Sequence, residues 1–302
     1  MAADENDEIE AALRRMAAEF GPRPPKAGTE DPLPPLPPPS ATQRIVPPNR
    51  STPPLQPRRS VTPAAAFRTF FSVGVASRML LALNIVVYLV TGLLSRNIAT
   101  PTSAVLQMVG WKENALIFQG EYWRLLTAMF LHGNLVHIFF NGYALYSIGP
   151  ETEHLFGQRR FLAVYLLSGL AGGMASYAFS PAPSVGASGA IFGLIGALAA
   201  FYYLAREVLG DFARMQFRNI AAIAAINLFI GFSANGVIDN YAHVGGLLGG
   251  ALIGWLLAPR LQADTSYFPP ALKRYDHPFA WPGVALVALG LLIVLRFIQP
   301  PL

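Results

Sequence analysis

Apolar residues in this chain come in long blocks, and polar residues gather at the joints between them. Seven blocks approach the ~20 residues with which an α-helix crosses ~30 Å of hydrocarbon. They run about 79–95, 134–148, 161–180, 185–205, 219–235, 238–258 and 281–298. From Arg160 to Arg206 no charged residue interrupts 45 positions. That is too long for one span, and Pro181, Ala182 and Pro183 supply the turn that makes it two. A long mixed segment, 96–133, separates the first two spans. The pattern predicts an all-α polytopic membrane protein.

The N-terminal region has another character. Of 26 prolines, 15 lie between Pro22 and Pro63, a density that no helix tolerates and that leaves little to bury. Residues 1–70 are therefore expected to be a cytoplasmic, Pro-rich disordered tail. Ahead of the prolines, Ile9, Leu13, Met16, Ala17 and Phe20 share one face of a possible short, solvated helix. Met1–Glu10 is acidic and precedes no apolar run, so no secretory signal is expected and insertion would begin at the first span. The remaining organisation reads as a six-span membrane domain over 71–260, then a linker and extra C-terminal helix over 261–302.

Composition agrees with the blocks: 53 % hydrophobic and 13 % charged residues cannot clothe a soluble surface of this size. The absence of cysteine excludes disulfides, thiolate metal sites and a cysteine nucleophile. No metal or cofactor is expected. The net charge of +5 does not point to nucleic acid, because it is distributed by topology. With the N-terminus inside and the C-terminus outside, 18 of the 22 basic residues fall on the inner side.

In that topology the second, fourth and sixth spans all enter from the outer face, and His137, Ser188 and His243 each lie within a turn or two of that entry. Asn141, four residues after His137, sits one turn deeper on the same face. Polar groups at membrane depth need partners, and here they can be partners for one another. Gly246, Gly250 and Gly254 of the sixth span, with Gly189, Gly193 and Gly196 of the fourth, allow the close backbone approach such a meeting requires. A neutral imidazole is suited to take the proton of a serine hydroxyl. Ser188 is then the candidate nucleophile and His243 the base and acid. His137, Asn141 and the Ser188 N–H are candidate oxyanion donors. Gly186 and Gly189 keep the backbone around Ser188 approachable.

These residues resemble the rhomboid intramembrane serine proteases over roughly 71–260. The match lies in Gly186–Gly189 around Ser188, in Ala242 and His243 with Gly246 and Gly250, and in His137 with Asn141. His132, Trp123 with Arg124, and Glu153 with Gly157 extend it. The resemblance implies a rhomboid-like six-helix bundle with a seventh transmembrane helix. It implies a Ser-His dyad without metal that cleaves single-span membrane proteins near the outer face. Trp123 and Arg124 would lie in a loop embedded in the outer leaflet, and the fifth span with the loop 232–240 would gate entry. Phe192, four residues after Ser188, stands where relatives often carry a tyrosine under the imidazole.

Plainer roles compete at several positions. Asp239, four residues before His243, is better placed to cap a helix than to complete a triad. Glu153 is expected to pair with Arg159 or Arg160 and fix an inner loop. Trp111, Tyr122 and Trp123 can serve as an aromatic belt, and His132 as an interfacial histidine. The runner-up function is a catalytically inactive rhomboid-like module that binds membrane proteins, against which both Ser188 and His243 argue. A channel or transporter would want intramembrane carboxylates, which these spans lack. Transmembrane proteins and the bilayer are the expected partners. A bacterial plasma membrane is the expected location, ahead of a mitochondrial inner membrane.

Overall fold

A computed structural model describes residues 74–233, 238–264, 266 and 271–301. The expected tail 1–70, the short helix 7–20 and part of the loop 232–240 lie outside the described residues. The first long helix, α1, is Val75–Leu94. The segment after it folds into three short helices, α2 (Ser103–Val109), α3 (Asn114–Phe118) and α4 (Arg124–Thr127), followed by a 3-10 turn at Ala128–Phe130. Then come α5 (Leu135–Phe156) and α6 (Gln158–Phe179). The helical stretch Ser188–Ser233 is broken at Gly210, whose φ of 57° and ψ of −133° no helix contains. We number its halves α7 (188–209) and α8 (211–233). Ring contacts of Tyr202 with Phe212 and Tyr203 with Phe217 show that the two halves fold back on each other. Helix α9 is Asn240–Leu257, and α10 is Ala280–Leu295.

Three stretches, Val75–Leu94, Gln158–Phe179 and Ser188–Ser233, are long and apolar enough to cross a membrane by length and composition. The outward rows of α1, α5, α8 and α10 carry exposed apolar side chains such as Leu89, Phe139, Phe140, Phe229 and Leu286, the surface a polytopic membrane protein presents to lipid.

Small residues set the centre of the bundle. A Cβ on Gly246 would lie 2.0 Å from the Gly189 carbonyl oxygen, and one on Gly250 equally close to that of Gly193. On the other flank, a Cβ on Gly245 would meet Ala175 Cβ at 2.5 Å. Helix α9 is thus pressed between α7 and α6 at backbone distance, as the glycine spacing predicts.

Two expectations need correction, and two segments between the apolar blocks are more ordered than the pattern alone indicates. The second span does not end at 148: α5 runs through Pro150 to Phe156. Hydropathy falls there because two carboxylates enter, yet both are satisfied. Glu153 accepts from the N–H groups of Ala76 and Ser77 at 3.0 and 2.8 Å, and Glu151 from the Tyr202 hydroxyl at 2.5 Å. Glu153 therefore caps α1 and does not pair with Arg159 or Arg160. Arg160 pairs instead with Asp276. Residues 206–218, which lie between two apolar blocks, are helical apart from Gly210, because the two helices project beyond those blocks. Finally, the linker after α9 contains an antiparallel hairpin, β1 (Arg260–Asp264) with β2 (Ala271–Tyr275), pinned by Lys273 on Asp264 at 2.7 Å.

Candidate active site

Ser188 is the first residue of α7 and His243 the fourth of α9, so both occupy the same end of neighbouring helices. The contact of α7 with α9 brings Ser188 Oγ to 2.8 Å from His243 Nε2, although 55 residues separate them in sequence. The imidazole is buried, 7 % exposed, and lies on the Phe192 ring, with centroids 4.3 Å apart and planes 19° from parallel. Phe192 is one turn below Ser188 on α7. A phenyl ring thus supports the imidazole from beneath without offering it a hydrogen bond.

Asp239 is the N-cap of α9: its carboxylate accepts from the Ala242 N–H at 3.0 Å, as expected for a cap. Among the described residues no hydrogen-bond partner faces His243 Nδ1. The arrangement is a serine-histidine pair with no acidic third member hydrogen-bonded to it among the described residues.

The side that carries the candidate oxyanion donors is built by α5 and the turn before α7. Asn134 caps α5 by accepting from the His137 N–H at 2.8 Å, which fixes the first turn on which His137 rides. Gly186 has φ of +125°, and its N–H donates to Ala128 O at 2.9 Å. A Cβ there would stand 2.6 Å from His137 Nε2 and 3.5 Å from Asn141 Nδ2. Both side chains therefore converge on the backbone two residues before Ser188, and the Asn141 amide nitrogen has no partner among the described residues. His132 is fully buried and meets the His137 ring edge-on at 5.1 Å.

Trp123 and Arg124 are not drawn into this cluster. The Trp123 ring fills the space above Gly110, where a Cβ would come within 2.2 Å of it. Arg124, buried at 5 %, donates to Gln107 O at 2.7 Å, pairs with Glu121 at 2.7 Å and lies 4.7 Å from the Trp123 ring centre. Together they knit the segment 103–127.

Sequence reading missed the residues that hold the turn carrying Ser188. Lys112, 1 % exposed, donates through Nζ to Ser180 O and Ala182 O at 2.6 and 2.9 Å, while its backbone makes a two-way bridge with Ser184. Asn114 donates to Ser180 O at 3.0 Å and to Pro301 O at 2.6 Å. A lone lysine in a loop gives no such signal. Asn134, directly before an apolar run, did give a capping signal.

The Rhomboid domain family matches residues 119–260. YdcA of Bacillus subtilis is 33 % identical over 198 residues, which cover 65 % of this chain and 95 % of that protein. This chain belongs to the rhomboid family. The rhomboid protease GluP of the same organism is 45 % identical over 172 residues, 57 % of this chain and 32 % of GluP. RHOMBOID-like protein 5 of Arabidopsis thaliana is 33 % identical over 205 residues, 63 % of this chain and 65 % of its own length. The chain thus spans about a third of GluP and just under two thirds of the plant protein. The rhomboid match contains Ser188, His243, His137 and Asn141.

Proposed function

We propose that this rhomboid is an intramembrane serine endopeptidase that hydrolyses peptide bonds of single-span membrane proteins near the outer face of the membrane. The observation that carries the reading is the 2.8 Å approach of Ser188 Oγ to His243 Nε2. It lies at the ends of two helices otherwise sealed by glycine packing. A hydroxyl and an imidazole at hydrogen-bond distance form a nucleophile with its base.

His243 Nε2 takes the Ser188 proton as Oγ attacks the scissile carbonyl carbon. The negative charge that develops on the carbonyl oxygen falls to His137, Asn141 and the Ser188 N–H. His243 then returns the proton to the leaving amine, and water repeats the sequence on the acyl-enzyme. One oxyanion donor is worth about 3 kcal/mol of barrier. Asp239 plays no part in this relay, being engaged as a helix cap. The orienting group is Phe192, which holds the ring by stacking. The basic residues on the face opposite the dyad support an inner location for that face, in a bacterial plasma membrane with the N-terminus cytoplasmic.

Ser188→Ala, reconstituted in vesicles with a single-span reporter, abolishes cleavage while leaving the thermal midpoint near that of the parent. A fluorophosphonate probe labels the parent at Ser188 and not the variant. Undiminished cleavage by Ser188→Ala overturns the assignment.

A further inference from the structure

At the end of the bundle opposite Ser188, the α5–α6 corner, the β2 strand and the start of α10 enclose a cleft of about 440 Å³. That is within the roughly 300–1,000 Å³ of small-molecule sites. Its charged lining is Arg159, Arg160, Arg274 and Asp276, three cations against one anion. Asp276 is already committed to Arg160, and Arg274 donates to Leu155 O. Arg159 is exposed, and among the described residues it has no partner. Arg274 is held below its ordinary pKa by partial burial and by the neighbouring Arg160 charge, against the opposing pull of the Asp276 carboxylate. The cleft also takes in the start of α6, which has no side-chain cap and no acidic residue in its first turn. Its free N–H groups and dipole favour an anion there.

One wall is Trp281, half exposed at the beginning of the apolar helix α10, whose outward rows carry Leu286, Leu289 and Leu292. An indole at the junction of an apolar helix and a polar corner marks the level of lipid headgroups. The cleft therefore opens where phosphate and acyl chain meet.

We propose that this cleft binds the phosphate of an anionic phospholipid from the leaflet opposite the dyad, with Arg159 and Arg274 gripping the phosphate oxygens and Trp281 against the glycerol region. Guanidinium groups suit phosphate because their planar fork donates two parallel hydrogen bonds. A lipid is favoured over a soluble phosphate because one wall is apolar and continuous with the membrane-facing surface of α10.

The test is native mass spectrometry of the full chain in detergent, titrated with phosphatidylglycerol or phosphatidylcholine. We expect one phosphatidylglycerol bound in clear preference to phosphatidylcholine, and binding about fivefold weaker for each arginine removed. Arg159→Gln is the clean variant, since no protein contact is lost. Arg159→Lys keeps the charge but loses the fork, so it binds more weakly than the parent and more tightly than Arg159→Gln, and Arg218→Gln, on the same face outside the cleft, leaves binding unchanged. Equal binding of the two lipids, or an equal loss in Arg159→Gln and Arg218→Gln, overturns the site. Displacement of the lipid by inorganic phosphate at equal concentration overturns the lipid and leaves a soluble phosphate. None of these readings depends on proteolysis, so they stand apart from the fate of Ser188.

Discussion

The constraint nearest the dyad is a missing side chain. Gly186 combines a positive φ with a backbone position that His137 overlies, so any Cβ would press on the imidazole and strain the turn. Gly186→Ala keeps Ser188 and His243 intact and disturbs only the side of the proposed oxyanion donors. We expect cleavage to fall about 100-fold, the effect of losing one donor of this kind, with a modest drop in thermal midpoint. Fluorophosphonate labelling should slow in parallel, because phosphonylation uses the same donors. Unaltered rates in both assays would show that His137 need not lie against residue 186. At this scale the sequence was informative where chemistry is rare, since a serine and histidines at membrane depth have few plain uses. It was silent on Lys112, whose function comes from carbonyls that only the folded chain brings to it.

Lys112 illustrates how elements are held. Its ammonium joins the segment after α2 to the turn 180–184, and Asn114 extends the tie to Pro301 beyond α10. The extra C-terminal helix thereby braces the loop on the dyad side: Leu291 and Leu295 pack with Ile117 and Tyr177. Burial lowers the Lys112 pKa from 10.5 to about 8, against the opposing pull of the Asp239 and Glu113 carboxylates. A lysine that binds its proton less tightly folded than unfolded costs stability while both states are charged. That cost is relieved as pH rises from about 8 to about 10.5. The thermal midpoint of the parent should therefore gain a rising component across that window. Lys112→Met lacks it, and at pH 7 loses about 1–3 kcal/mol through the bared carbonyls. A midpoint profile identical in parent and variant would remove Lys112 from this role. Element boundaries show what hydropathy can and cannot tell. The seven apolar blocks each became a helix, and the glycine spacing foretold the α7–α9 contact. But hydropathy stops where carboxylates begin, so it ended the second span at 148 although Glu151 and Glu153 find donors in neighbouring helices. The hairpin 260–275 escaped notice because its strands alternate too weakly to stand out from a linker.

Across the whole molecule, the two faces differ in kind. One carries the dyad, the knitted segment 103–127 and the end of the chain. The other carries Arg159, Arg160, Arg206, Arg214, Arg218, Arg260, Lys273 and Arg274. With α5 rising 1.5 Å per residue over 22 residues, the faces stand about 30 Å apart, the thickness of a hydrocarbon core. The excess of arginine predicts that the second face is retained inside. The chain contains no cysteine, so single cysteines report location without background. In intact cells making the full chain, a membrane-impermeant maleimide should label Ser103→Cys and Gln299→Cys directly, and Asp211→Cys only after permeabilisation. Gln299 is the discriminating position, because the six apolar blocks between Ser103 and Gln299, if all cross, and the Asn114–Pro301 tie both demand that it share a side with Ser103. Labelling of Asp211→Cys alone in intact cells would invert the protein and move the proposed cleavage to the inner face. Labelling of Gln299→Cys on the opposite side from Ser103→Cys would mean that α10 does not cross, and that the brace on Asn114 does not form in the membrane.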